Sequence, residues 1–80
     1  MEFRSRMKQA SPQLVAELER HINARTSRRV RNLAIELVPE AVILRGQART
    51  YYVKQLAQQG VRDLLPQVRL ENAIEVESVS

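Results

Sequence analysis

Eighty residues with no cysteine and a net charge of +4 form one small domain, without disulfides or thiolate–metal chemistry. Aromatic residues are limited to Phe3, Tyr51 and Tyr52 and 44% of the chain is hydrophobic, so the core must be aliphatic, with no deep cavity beside it. No apolar run approaches the roughly 18 residues of a membrane span, and the first residues carry charge without a signal peptide's apolar stretch, so a soluble, cytoplasmic protein is expected.

Residues 1–10 mix charges without periodicity and are expected to form a flexible basic arm carrying Arg4, Arg6 and Lys8. A helix is predicted from Ser11-Pro12, with Ser as N-cap and Pro at the first helical position. It runs to about Ala24 with Leu14, Val15, Leu18 and Ile22 on one stripe. Thr26-Ser27 is a polar break. From Arg28 to Val38 the period becomes two: Leu33, Ile35 and Leu37 alternate with Asn32, Ala34 and Glu36, as in a half-buried strand. Pro39-Glu40 joins it to a second strand, Ala41 to Arg45, making an antiparallel hairpin. Pro-Glu is not a favoured primed-turn pair, so a longer loop or a bulge is the alternative there.

Gly46 is expected to end the second strand. Thr50 can cap a second helix with Val53, Leu56, Ala57, Gly60, Val61 and Leu64 on one stripe. Gly60 is read as lying on the packed face and letting this helix sit close to the sheet, rather than as a stop. Pro66 ends the element. Val68, Leu70, Ile74 and Val76 then alternate with Arg69, Glu71, Ala73 and Glu75 as a third strand. The fold class is α+β: one small αββαβ domain over residues 11–77, with a three-stranded mixed sheet, two helices on one face, and a tail at 78–80. A right-handed crossover makes the second and third strands parallel, and the simplest sheet sets the first strand between them. The open face would then carry Asn32, Ala34, Glu36, Val38, Ile43, Arg45, Arg69, Glu71, Ala73 and Glu75, a mixed surface turned to water.

Val42-Ile43-Leu44-Arg45-Gly46, the small polar cap Thr50, and Leu70-Glu71-Asn72-Ala73-Ile74-Glu75-Val76 follow in an order and spacing that resembles the BON domain family. The resemblance covers about residues 12–77. The family usually has Gly-Val before the last strand, where this chain has Pro66-Gln67, and its members are mostly exported or membrane-associated. The resemblance implies a non-catalytic module that binds membranes, phospholipids or other ligands, and names no ligand.

Read residue by residue, the chain offers no enzyme site. His21 is the lone histidine, at the edge of the first helix stripe with Glu17 one turn away, and general acid–base chemistry needs positioned partners. The scattered carboxylates lack calcium-loop spacing, and one histidine without cysteine builds no zinc site. Two glycines make neither a P-loop nor a dinucleotide fingerprint. No cofactor and no metal is expected.

Arg25, Arg28, Arg29 and Arg31 form the densest charge cluster, where the first helix ends and the first strand begins. With Tyr51, Lys54 and Arg62 they are the candidate ligand-binding residues. An anionic lipid surface is the first partner this suggests. Tyr51-Tyr52 opens the second helix between Arg49 and Lys54, and adjacent helix positions diverge by about 100°, so one ring is expected to pack and the other to be exposed. Asn72 is in phase with the buried side of the last strand and is expected to bond main chain at the hairpin. A nucleic acid is the alternative partner, aided by the arm. Homo-oligomer or partner-protein assembly through Val38, Ile43 and Ala73 on the open face is the third.

Overall fold

The structure, a computed structural model, describes the backbone of residues 2–77 and the side chains of residues 12–77. Its elements run α1 (Glu2–Thr26), β1 (Arg31–Val38), β2 (Ala41–Ala48), α2 (Tyr51–Leu64) and β3 (Arg69–Val76), in the expected α–β–β–α–β order. α1 begins well before Ser11-Pro12, and Pro12 lies inside it. Proline there removes the bond Lys8's carbonyl would accept and crowds that carbonyl with its ring, yet the helix continues through it. The backbone of the supposed arm is thus part of α1. The side chains of Arg4, Arg6 and Lys8, and the tail at 78–80, lie outside the described residues.

α1 ends two residues later than the stripe predicts. Thr26 is buried at 1% exposure and its hydroxyl donates to the Ile22 carbonyl at 2.8 Å. Ser27 and Arg28 then take φ values of 55° and 57°, and the Arg28 N–H reaches back to the Asn23 carbonyl at 2.9 Å. That six-to-one bond is the Schellman closure, made here without glycine.

The sheet order is β1-β2-β3, with β1 antiparallel and β2 parallel to β3. β2, not β1, is therefore central, which corrects the expected arrangement. The 14-residue α2 carries the chain to the neighbouring position on β2's free edge, so the crossover skips no strand. The hairpin turn is the two residues Pro39-Glu40, since Val38 pairs with Ala41. The irregularity falls at the other end of the hairpin, where the register shifts between Arg31 and Ala34 and Asn32 takes φ 55°.

Gly46 explains that bulge. It does not end β2, which continues to Ala48. At φ 149°, a Cβ on it would lie 2.9 Å from the Arg31 carbonyl oxygen and 2.9 Å from Val30 Cγ1. The missing side chain is the space through which β1's bulged backbone passes.

Side chains of β2 and β3 that face the helices supply much of the core: Val42, Leu44 and Ile74 are buried beneath Leu18 and Ile22 of α1 and Val53, Ala57 and Val61 of α2. Leu64 and Val76, expected in the core, are 39% and 36% exposed because each closes the end of its element. Gly60 is on the packed face, but its neighbour is α1 and not the sheet: a Cβ there would stand 3.1 Å from Ile22 Cγ1 and 3.2 Å from Ile22 Cα. Asn72 is held by α2 rather than by the hairpin. Its amide donates to the Lys54 carbonyl at 3.0 Å, and its oxygen accepts from the Ile74 N–H at 3.2 Å. The residues predicted for the open face are exposed, except that Val38 and Ile43 are half-buried.

Candidate functional site

The end of the sheet where β2 and β3 finish their parallel run is also where α2 begins. Thr50 is the N-cap of α2, extended at φ −135°, and its hydroxyl accepts from the Val53 N–H at 3.1 Å. The remaining first-turn N–H groups have no helical carbonyl to bond, and they place partial positive charge at this point. No acidic residue lies in the first turn to offset it. Ligands of open α/β sheets collect at such strand ends.

A cleft of about 460 Å³ opens there, lined by Arg28, Arg29, Arg31, Gln47, Arg49, Thr50, Val53 and Glu77. Four arginines from three segments converge on it. The left-handed turn after α1 delivers Arg28 and Arg29, the β1 bulge delivers Arg31, and the β2–α2 link delivers Arg49. Glu77 is the one carboxylate among the lining residues. Arg31 already engages it at 2.9 Å, and its N–H is anchored to the Ala48 carbonyl at 2.7 Å. Among the described residues, Arg28, Arg29 and Arg49 have no ion-pair partner. Three guanidiniums beside a helix N-terminus form a forked donor set suited to phosphate oxygens.

The predicted site residues divide. Arg28, Arg29 and Arg31 come together in the cleft. Arg25 turns instead to Asp63 on α2, 2.7 Å away. Arg62 donates to the carbonyls of Pro66 and Val68 and so ties the α2–β3 link. Lys54 is half-buried, and its carbonyl serves Asn72. Tyr51 and Tyr52 are both exposed, at 62% and 68%, against the expectation that one packs, because Val53 alone of the first turn points inward. Arg49 was not among the candidates. Its signal is position: a cation just before the N-cap of a crossover helix, at the end of a parallel strand. Val38, Ile43 and Ala73 lie on the open face, away from this cleft.

A second cluster joins the two helices. The Asp63 carboxylate meets His21 Nε2 at 3.0 Å and Arg25 at 2.7 Å, so His21 pairs across to α2 rather than with Glu17. The bonds from His21 and Arg25 hold the Asp63 carboxyl below the ordinary aspartate value of 3.8. A lowered folded pKa contributes stability that is complete above the unfolded value and lost as pH falls through the folded one. Chemical denaturation should therefore show the parent more stable than Asp63→Asn at about pH 6, by a small and salt-screened margin, and the two converging below pH 3.8. A constant gap down to strong acid would contradict this. Among the described residues no group of three or more His, Cys, Asp or Glu could hold a metal, and no helix is long and apolar enough to cross a membrane.

Compared with protein-family models, curated proteins and solved structures, the chain matches none of them.

Proposed function

We propose that this domain is a non-catalytic binding module whose arginine cleft takes phosphate groups presented by an anionic lipid surface. The observation that carries the reading is the convergence of Arg28, Arg29 and Arg49, without partner carboxylates among the described residues, on the N-terminus of α2. Tyr51 and Tyr52, the next two residues after the cap, stand exposed beside it. Rings with an apolar body and a polar tip suit the boundary between headgroups and acyl chains. A cytoplasmic placement would set this surface against the leaflet richest in anionic lipid. The reading agrees with what the BON-like sequence pattern implies.

Vesicle flotation tests it, using phosphatidylcholine alone and phosphatidylcholine mixed with phosphatidylserine, each at low and physiological salt. Recovery should be confined to the anionic vesicles and fall with salt. The triple change Arg28→Ala, Arg29→Ala, Arg49→Ala should weaken binding roughly a hundredfold, since each basic residue near such a surface contributes about a factor of five. Equal recovery on both vesicles, or full binding by the triple variant, would overturn it. So would retention of RNA through the same arginines with no vesicle binding.

A further inference from the structure

The open sheet face carries a charge pattern that complements itself. Taken across the sheet, three rows read Val38–Ala41–Arg69, Glu36–Ile43–Glu71 and Ala34–Arg45–Ala73, and a fourth, at the bulge, holds Gln47 and Glu75 with the Asn32 amide bonded to the Gln47 side chain. Suppose a second copy is turned over about a twofold axis lying along the rows, between the second and third. Row one then faces row four, and row two faces row three. Arg69 meets Glu75 of the copy, and the reverse pair follows by symmetry. Ile43 lies over the Arg45 stem, whose methylenes are apolar. Glu36 and Glu71 lie over Ala34 and Ala73, the smallest residues on the face, and flank the copy's Arg45 guanidinium. No like charges stand opposite one another anywhere in the pattern.

We infer that this domain forms a symmetric homodimer through its open sheet face, in antiparallel face-to-face packing, with Arg69–Glu75 as its paired ion bridges. The occupant is a second copy because a twofold requires one surface to satisfy itself, and this one does. Strands about 4.8 Å apart and rows about 6.7 Å apart give a contact of about 800 Å² in all. That is below the size of stable complexes, so the dimer is transient and forms at high micromolar concentration and above. The arginine cleft lies at the sheet's end, next to the fourth row, and shares Gln47 with it.

The ion pair gives a clean test. Arg69 and Glu75 lie six residues apart on one strand, about 20 Å, so they cannot meet within a chain. Arg69→Glu alone and Glu75→Arg alone should each weaken dimerisation roughly tenfold in sedimentation equilibrium, because each reversal acts twice in a symmetric interface. The double reversal should return it to within about threefold of the parent. Added salt should weaken the parent dimer. Circular dichroism of each variant guards against loss of fold. A parent that is monomeric at about 1 mM would overturn the inference, as would a dimer indifferent to both single reversals or not restored by the double one.

Discussion

Replacing Gly46 with alanine is expected to destabilise the domain by about 2–6 kcal/mol, which in a chain of this size approaches the whole stability. Two effects add. The backbone at φ 149° lies where side-chain-bearing residues are strained, at about 1–3 kcal/mol. The new Cβ would also stand 2.9 Å from both the Arg31 carbonyl oxygen and Val30 Cγ1, an overpacking of about 1–3 kcal/mol. One of these contacts is backbone, which cannot swing aside as the end of a flexible side chain would. Urea denaturation followed by circular dichroism measures the loss. A change under about 1 kcal/mol would show that β1's bulge yields freely.

Leu44→Ala should cost about 2–5 kcal/mol, whereas Ile43→Ala beside it should cost about 1 kcal/mol or less. Leu44 is 0% exposed on the central strand, inside the layer of α1 and α2 side chains. Deleting its three terminal carbons leaves a cavity bounded by strands on both sides, which has little room to collapse. Ile43 points to the opposite, open face. The same urea transitions compare the two variants, and equal losses would contradict the sidedness of β2.

The fold was largely legible because its signals are local. Period-two alternation marks β1 and β3, a helical stripe marks α2, and Thr50 caps as a threonine in that position should. Strand order was not legible. Nothing in the composition of β1 or β3 states which strand lies in the middle, and both alternate as half-exposed strands do. The one sequence sign was Gly46, read as a strand end when it is a place of close approach inside the central strand. Gly60 carried the same ambiguity: its placement on the packed face was readable, its partner was not, because Ile22 reaches it only through tertiary packing. Pro12 misled for a related reason. A proline that suits a helix start can also be carried within one when a single carbonyl goes unpaired.

Of the candidate site, the arginine cluster was visible and its composition was not. Arg25 and Arg31 look alike in sequence, but Asp63 removes the first from the cleft and a bulge aims the second into it. Arg49 joined only because β2 and α2 meet at the cleft. The turn that presents Arg28 and Arg29 uses two successive left-handed residues, a conformation that Ser27-Arg28 does not advertise.

The Ile22–Gly60 contact has a consequence for the order in which the molecule assembles. The α1 backbone runs closest to α2 and β1, while Leu18 and Ile22 reach into the shared core above the sheet. The hairpin can pair as soon as Ala48 has been made, but part of α1's cover arrives only with α2. At synthesis rates of about 5–20 residues per second, the stripe bearing Leu18 and Ile22 waits on the order of seconds for it. During that interval the chain presents the apolar stripe of α1 to any neighbour, so docking of α1 is the step at which nascent chains are most exposed to capture by one another.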